Sequence, residues 1–532
     1  MKKELPYPMR AALLAFAIAM VCGTAAAQQA NPAGAKGTQG GGKAKGDESW
    51  EIEQRKRWWI ESRGLDKVKS AKSARLRAVR DMAFEKQARA SLDIAAGNVW
   101  RELGPSSMKM GNWVMGRVSG RINAIAPHPT DDNTVYIGSA NGGVWKTTDA
   151  GIAWTPLFTN VGSQSIGAIH VESAAAQNVW VGTGDKNDGA CAGYLSQGIF
   201  LSTDSGASWS AKNGSGTTAM KLSVVSSLHT LPTNSNVILA GGFGDRCNGS
   251  GDTNGGIYRS ADRGVTWTQT LDRKIEDIVT IPGSNTLYAS APGSGVYKST
   301  DGGVTWASVS SGLSVAGSRM RLAIAPSNAN VLYALNGVNL YRSLDAGASW
   351  ALRSSTACDS QCTYNLALTV HPTDSATVLV GAIRPRRSTN GGSTFTTLTN
   401  TWGSAQQVHQ DTHVVRYSHN NTSRFWIGSD GGIWRTDNAA SGWVNMNSNL
   451  NITQYYDIAV DPTNPNIVFG GAQDNSSSRR VDSNVWDLTF VNGDGFMNAI
   501  DETNANIVFQ NGYPNGSYPS IYRSTQGGAP GT

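Results

Sequence analysis

Short apolar runs alternate with glycine-rich and polar turns along most of the chain. One unit reads INAIAPHP, TDDN, TVYIGSA, a glycine loop, GVWKTTD and AWTPLF. Short runs of apolar and β-branched residues that are bounded by Gly, Pro, Asn and Asp are typical of β-strands. Each unit therefore predicts four consecutive antiparallel strands joined by tight turns.

An acidic turn recurs at the third hairpin of each unit. It reads TTDAGIAW, STDSGASW, SADRGVTW, STDGGVTW, SLDAGASW and STNGGSTF, and it returns shortened as TDNAASGW. Its acidic or amide positions are Asp149, Asp204, Asp262, Asp301, Asp345, Asn390 and Asp437. A repeat of about 45 residues with four strands per unit predicts an all-β protein, a β-propeller with one blade per repeat.

The repeated Asp is interpreted as structural. Its carboxylate can accept backbone N–H groups that the hairpin leaves unpaired, the Gly supplies a positive φ, and the Trp covers the junction between blades. Asn390 supports this interpretation, because an amide oxygen keeps a turn hydrogen bond but cannot replace a catalytic carboxylate.

The repeats divide the chain. Residues 98–450 predict a seven-bladed ring, and residues 451–532 predict the start of a second ring in what we interpret as a truncated form of a longer protein. One ring of about ten blades is the alternative. Residues 1–27 resemble a secretory signal peptide, 28–46 a flexible linker, and 47–97 a basic helical arm.

Charge and cysteine usage narrow the class of partner. The net charge of +6 resides in the signal and the arm, and the remaining chain is slightly negative, which argues against a nucleic-acid partner.

Export to the periplasm or the extracellular space is predicted, without an integral membrane segment. Four cysteines follow the signal, and in an oxidising compartment they predict disulfides among Cys191, Cys247, Cys358 and Cys362, with connectivity left open.

The chain resembles the Asp-box (BNR) propellers, which include sialidases, the sortilin (Vps10) propeller and glycoside hydrolase family 74. The stretches WRELGPSS, GRVSGRINAIAPHP, YIGSANGGVWKTTDAGIAW, VHQDTH, GSDGGIWRT and GGAQDNS are similar to bacterial exported proteins called "glycosyl hydrolase" or "WD40/YVTN/BNR-like repeat-containing". The resemblance covers about residues 98–532. In family 74 a catalytic Asp precedes Gly-Gly in the first blade, whereas Ala140 occupies that position here.

Loops opposite the acidic turns form the predicted binding face. Their polar residues suit a hydroxyl-rich or basic partner. The candidate ligand-binding residues are Arg117, Arg121, Asn141, Asp188, Asp245, Gln454, Gln473, Asp474 and Asn475.

The stretch VHQDTHVV places His409, Asp411 and His413 at alternate positions of a predicted strand. This pattern predicts a polar plug of the channel, and a divalent metal site or an acid–base group are the alternatives. A glycosidase needs two carboxylates, for which Asp411 with Asp430 or Asp185 are the candidates.

These observations predict an exported propeller that binds a glycan or an envelope protein through its loop face, without catalysis and without a required cofactor. The alternative is a glycoside hydrolase with an atypical carboxylate pair.

Overall fold

The computed structural model describes residues 102–187, 196–244, 255–317, 319–359, 361–399, 403, 405–481, 483–490, 493–515 and 518–532, together with 57, 61, 77–82, 84 and 85. Residues 77–82, 84 and 85 are helical and lie in the predicted arm. One 3-10 helix spans Gly216–Thr218. Almost all other regular structure is β, as the sequence predicts.

Two short strands, β1 (Ser107–Lys109) and β2 (Arg117–Val118), precede seven sheets of four antiparallel strands in sequence order. Sheet 1 contains β3 (Ile122–Pro127), β4 (Val135–Ser139), β5 (Val144–Thr147) and β6 (Thr155–Pro156). Sheet 2 contains β7 (Ile166–Val171), β8 (Val179–Thr183), β9 (Ile199–Ser202) and β10 (Ser210–Ala211). Sheet 3 contains β11 (Val224–Leu231), β12 (Asn234–Phe243), β13 (Gly256–Ser260) and β14 (Thr268–Leu271). Sheet 4 contains β15 (Asp277–Thr280), β16 (Leu287–Ala291), β17 (Gly295–Ser299) and β18 (Ala307–Ser308).

The next three sheets repeat this order. Sheet 5 contains β19 (Met320–Ala325), β20 (Asn328–Asn336), β21 (Asn339–Ser343) and β22 (Ala351–Ser354). Sheet 6 contains β23 (Ala367–Val370), β24 (Val378–Gly381), β25 (Arg386–Ser388) and β26 (Thr396–Thr397). Sheet 7 contains β27 (Thr412–Tyr417), β28 (Phe425–Ser429), β29 (Gly432–Thr436) and β30 (Val444–Asn445).

The first strand of each sheet is the innermost strand. It contacts the first strand of the next sheet, and β27 of sheet 7 contacts β3 of sheet 1. Apolar side chains fill the spaces between the sheets. Between sheets 7 and 1, for example, Ile122, Trp154, Trp426 and Met446 belong to one buried cluster. Burying each such side chain stabilises the fold by about 1.5–3 kcal/mol, so each sheet depends on its neighbours.

Sheet 8 combines strands that are far apart in the sequence. It has six strands in the order β2-β1-β34-β33-β32-β31. Its last four strands along the chain are β31 (Tyr455–Val460), β32 (Ile467–Ala472), β33 (Ser477–Val481) and β34 (Val485–Phe490). β1 runs parallel to β34, with Ser107 opposite Val485. The sequence pattern predicts one ring over residues 98–450 and does not indicate this long-range pairing.

Sheet 9 has three described strands, β35 (Gly495–Ile500), β36 (Val508–Asn515) and β37 (Tyr518–Ser524). Strand β35 contacts β31 and β32 of sheet 8. Sheets 8 and 9 therefore repeat the packing of one innermost strand against the next.

The repeated acidic turn connects the last two strands of each four-stranded sheet. In sheet 1, Thr147 Oγ1 donates to Asp149 Oδ1 at 2.7 Å, and the backbone N–H of Ala153 donates to the same oxygen at 3.0 Å. Gly151 has a φ of 93°, which a side chain would disfavour. Trp154 Nε1 donates to the carbonyl of Met446 in sheet 7 at 2.8 Å, so the turn ties its sheet to the preceding one.

The assignment of Asp437 to this turn was wrong. In sheet 7, Thr436 Oγ1 donates to Asn438 Oδ1 at 2.9 Å, and Gly442 N–H donates to that same oxygen at 2.9 Å. Asn438 therefore holds the acceptor position, two residues after the hydroxyl. Asp437 instead forms ion pairs with Arg424 at 2.6 Å and Arg435 at 2.8 Å.

Candidate functional site

A repeated irregularity marks one end of the innermost strands. The registers of β3 and β27 each skip a residue, between Ile122 and Ala124 and between Thr412 and Val414. The skipped residues are Asn123 and His413. A bulge of this kind redirects the side chain of its extra residue, and bulges are frequent beside functional sites. Both side chains enter one buried polar network.

Arg121 and Asp185 form the first part of this network. Their side chains are 1% and 0% exposed. Arg121 Nη2 donates to Asp185 Oδ2, while Asp185 Oδ1 accepts Asn123 Nδ2 at 3.0 Å and Asn187 N–H at 2.8 Å. Both carboxylate oxygens of Asp185 are therefore engaged within the protein.

Asp430 forms the second part and is 2% exposed. His413 Nε2 lies 2.9 Å from its Oδ1, Tyr364 OH donates to its Oδ2 at 3.0 Å, and Arg121 Nε lies 3.9 Å away. Burial raises the pKa of Asp430, but His413 and Arg121 outweigh burial and bring this pKa to about 2. Asp430 is an anion at neutral pH.

Tyr364 connects these two parts of the network. It was not among the candidate residues predicted from the sequence. Its hydroxyl accepts Arg121 Nη1 at 2.7 Å and Gln473 Nε2 at 3.2 Å, and its backbone carbonyl accepts Arg319 Nη1 at 2.6 Å. Its ring meets the His413 ring edge-on, with centroids 5.0 Å apart. One side chain thus contacts residues of sheets 1, 7 and 8.

The loop that carries Tyr364 contains a disulfide between Cys358 and Cys362, one of the pairings that the sequence leaves open, with Cα atoms 6.2 Å apart. Both half-cystines are buried in the cluster between sheets 5 and 6. The stretch CDSQCTYN was the available signal, because a short disulfide loop fixes the residues that follow it.

The strand predicted to carry His409, Asp411 and His413 begins only at Thr412, so these residues do not alternate along one strand. Asp411 has a φ of 64°, and its Oδ1 accepts Asn365 Nδ2 at 2.5 Å. The ring nitrogens of His409 lie 3.0 Å from the carbonyl of Gln410 and 3.3 Å from that of Asp474. Burial lowers the pKa of both His409 and His413.

Three carboxylates of the described chain approach one another. One oxygen each from Asp411, Asp430 and Asp474 lies within 4.8 Å of the others. His409 and His413, the other two predicted metal donors, are not members of this group. A bound metal at this position stays a prediction.

Some of the remaining candidates contact the network and others lie away from it. Arg117 Nη1 donates to the carbonyl of Ser448 at 3.2 Å, away from the network. Asn475 Nδ2 donates to the backbone carbonyl of Asp430 at 2.9 Å. Asn141 is exposed, and Gln454 and Gln473 are half-buried. Asp188, Asp245, Cys191 and Cys247 lie outside the described residues.

An aromatic pair lies on sheets 8 and 9. The rings of Tyr456 and Phe496 stack with centroids 5.1 Å apart and planes 25° apart, and both residues are half-buried. The register of β31 skips at Tyr456, and that of β35 shifts over Phe496 and Met497. Gln454 lies two residues before Tyr456, and its carbonyl accepts Gln473 N–H at 2.9 Å.

No protein-family model and no curated protein matches the chain. Among solved structures it is similar to the GH74 xyloglucanase from Xanthomonas campestris, with a TM-score of 0.60 and 16% identity over 77% of this chain and 67% of that one. It is also similar to the GH74 enzyme of Niastella koreensis, with a TM-score of 0.57 and 19% identity over 80% and 67%. An ancestral GH74 enzyme gives a TM-score of 0.56 and 18% identity over 82% and 63%.

These similarities define the class of the fold: the chain is a β-propeller related in structure to GH74 propellers. At such identities the likeness concerns the fold and not the activity. The part of the chain that the structure describes contains no helix that is long and apolar enough to cross a membrane.

Proposed function

We propose that this chain is an exported, non-catalytic propeller that binds a glycan through the face bearing its polar network. The observation that supports this proposal most strongly is the burial and hydrogen bonding of two candidate catalytic carboxylates. Asp185 and Asp430 are buried to 0% and 2% exposure, and hydrogen bonds within the protein engage both oxygens of each.

A glycosidase needs a carboxylic acid that is protonated near neutral pH and a second carboxylate that reaches the sugar. Asp430 has a pKa of about 2, which favours the anion and opposes a role as general acid. Asp185 could reach a substrate only after leaving Arg121, and breaking a buried ion pair costs about 3–5 kcal/mol. We therefore assign both residues to the scaffold of the binding face.

The ligand class follows from half-buried aromatic and amide residues of sheets 8 and 9. Sugars are bound by aromatic rings that pack on their apolar faces and by amides that hydrogen-bond to their hydroxyls. Tyr456 and Phe496 form a half-buried aromatic stack, and Gln454, two residues before Tyr456, and Gln473, whose backbone N–H donates to the Gln454 carbonyl, are half-buried amides. These side chains can provide the two kinds of contact. This combination favours a neutral glycan over a protein partner.

The test is retention in affinity gels cast with neutral polysaccharides, combined with an assay for released reducing ends. We expect retention on at least one polysaccharide without release of ends. Tyr456→Ala should abolish retention, whereas Tyr522→Ala, at another half-exposed tyrosine of the same two sheets, should preserve it. Release of ends that Asp411→Asn abolishes would contradict the proposal, as would binding of an envelope protein without any glycan.

Export is part of this proposal. It is supported by the basic and apolar pattern of residues 1–27 and by the Cys358–Cys362 disulfide, because such bonds persist in oxidising compartments. Mass spectrometry of the protein from a cell fractionation is the test. A mature N-terminus near residue 28 outside the cytoplasm supports export, and an uncleaved cytoplasmic protein contradicts it.

A further inference from the structure

Three carboxylates from sheets 7 and 8 come together at one side of the polar network. Asp411 directly precedes β27, Asp430 lies between β28 and β29, and Asp474 lies between β32 and β33. One oxygen of each lies within 4.8 Å of the others. Asp411 and Asp430 are buried and Asp474 is half-buried, so this three-carboxylate group is largely shielded from solvent.

A buried amide oxygen beside the three-carboxylate group is left unsatisfied. Asn365 is 0% exposed, and its Nδ2 lies 2.5 Å from Asp411 Oδ1. Its Oδ1 has no hydrogen-bond partner in the described part of the chain. The two polar atoms of one amide are about 2.2 Å apart, so this oxygen also lies beside the Asp411 carboxylate. Leaving such an acceptor unsatisfied costs free energy that a bound cation recovers.

A second amide oxygen of the same kind belongs to Asn475, which directly follows Asp474 and is 4% exposed. Its Nδ2 donates to the backbone carbonyl of Asp430 at 2.9 Å and to that of Gln473 at 3.0 Å. These bonds hold the amide between the loops that carry Asp430 and Asp474. Its Oδ1 likewise has no hydrogen-bond partner among the described residues.

The arginines of the network already face carboxylates outside this group. Arg121 is paired with Asp185, and its Nε lies 3.9 Å from Asp430 Oδ1. Arg319 Nη2 lies 2.5 Å from Glu276 Oε1. Neighbouring carboxylate anions oppose one another, and a bound divalent cation reverses this effect because it is the largest local charge.

The donors are all oxygen atoms, which selects the class of cation. His409 directs its ring nitrogens at backbone carbonyls, and His413 Nε2 lies 2.9 Å from Asp430 Oδ1, so neither ring belongs to the three-carboxylate group. Zinc and copper favour nitrogen and sulfur ligands, whereas carboxylate and amide oxygens suit calcium and magnesium.

The spacing of the oxygens separates these two ions. Calcium lies about 2.3–2.6 Å from its ligands, so one ion bridges oxygens up to about 4.6–5.2 Å apart. Magnesium lies about 2.0–2.1 Å from its ligands and bridges at most about 4.2 Å. A group whose oxygens lie within 4.8 Å of one another therefore accommodates calcium without rearrangement.

From this geometry we infer that Asp411, Asp430 and Asp474 bind a calcium ion, with the amide oxygens of Asn365 and Asn475 as further ligands. A half-turn of the Asn365 amide exchanges its nitrogen and oxygen and directs the oxygen at the carboxylates. Calcium takes about six to eight oxygen ligands, so water completes the set.

The hydrogen bonds of Asp430 are compatible with this role. Tyr364 and His413 each contact one of its oxygens, and a carboxylate oxygen keeps a further lone pair for a metal ion. The calcium joins loops of sheets 7 and 8 and takes no part in catalysis. The inference does not depend on the proposed glycan ligand.

The direct test is calorimetric titration of the full chain with calcium chloride, after treatment with EDTA and removal of the chelator. Asp474→Asn removes one negative ligand, and we expect it to weaken calcium binding at least about tenfold. Asp487→Asn makes the same change at a carboxylate of β34 that is 52% exposed, and it should leave the affinity unchanged. Equal affinities of wild type and Asp474→Asn would overturn the inference, as would magnesium binding as tightly as calcium.

Crystals of the wild-type chain grown with calcium chloride provide a readout that does not require a folded variant. We expect a peak about 2.3–2.6 Å from one oxygen each of Asp411, Asp430 and Asp474. Calcium bound only at other places, or no bound calcium, would overturn the inference.

Discussion

Aspartate occurs in opposite surroundings in two regions of the molecule: it is exposed in the acidic turns and buried in the network around Tyr364. Asp301 is exposed, and a hydroxyl and N–H groups within four residues lower its pKa to about 2. Asp430 is buried and reaches about 2 through His413 and Arg121, which come from distant parts of the chain. A low pKa therefore has a local cause at the turns and a long-range cause in the network.

The first prediction concerns the ion pair between Arg121 and Asp185 in the network. Arg121→Met leaves Asp185 buried without its cation, and we expect a loss of about 3–5 kcal/mol in the free energy of unfolding. Urea denaturation measures this loss. Adding Asp185→Asn to the same chain should recover part of it, since the stranded charge is then removed. A loss below about 1 kcal/mol would show that the pair is not a structural element.

The second prediction concerns Tyr364. Tyr364→Phe keeps the ring but removes the hydroxyl that contacts Arg121, Asp430 and Gln473, so we expect a loss of about 1–3 kcal/mol. Tyr341→Phe is the control, because within the described part of the chain that hydroxyl has no hydrogen bond and its side chain is buried. Equal losses in the two variants would contradict the central place of Tyr364.

The third prediction tests the loop before Tyr364. Replacing Cys358 and Cys362 by serine removes a crosslink that orders this loop, and we expect a loss of about 2 kcal/mol. Compared with the wild type, this variant should show faster hydrogen exchange in residues 361–366, and the increase should be larger there than in the acidic turns. Unchanged exchange in this loop would mean that packing alone positions Tyr364.

We expect the smallest losses in the free energy of unfolding for substitutions in the acidic turns. Asp301→Ala removes acceptors for Thr305 and Val304, and we expect a loss of about 0.5–1 kcal/mol because water partly replaces these contacts. Asp301→Asn keeps an acceptor, as Asn390 does naturally, and should lose less. A larger loss for Asn than for Ala would contradict a role in hydrogen bonding.

The acidic turns also predict how the stability of the fold changes as the pH falls. Asp204, Asp262, Asp301 and Asp345 each have a folded pKa of about 2, below the ordinary 3.8. The unfolded chain therefore binds protons first, so this contribution to stability is complete above about pH 4 and is lost as the pH falls towards 2. Urea midpoints from pH 5 to 2 measure it. Replacing all four residues by Asn should flatten the profile.

The sequence predicted the features that have local causes. Strand pattern, turn hydroxyl, acceptor and glycine all lie within one hairpin, so the all-β fold and the turns could be derived from it. One local prediction failed: in TDNAASGW both Asp437 and Asn438 are plausible acceptors, and only the hydrogen bond of Thr436 distinguishes them.

The network could be predicted only in part, since its partners are far apart in sequence. Arg121, Asp185 and Asp430 were identified from loop polarity, but Tyr364 lies 243 positions from Arg121 and no local pattern joins them. The assignment of His409 and Asp411 to a strand failed because the positive φ of Asp411 ends the alternation. The pairing of β1 with β34 was missed for the same long-range reason.

The central claim is that the buried carboxylates support the fold and perform no chemistry. Asp185→Asn tests it most directly when unfolding free energy and polysaccharide hydrolysis are measured on the same preparations. We predict that the variant is less stable than the wild type and that neither protein releases reducing ends. Hydrolysis by the wild type that disappears in an equally stable variant would contradict the account.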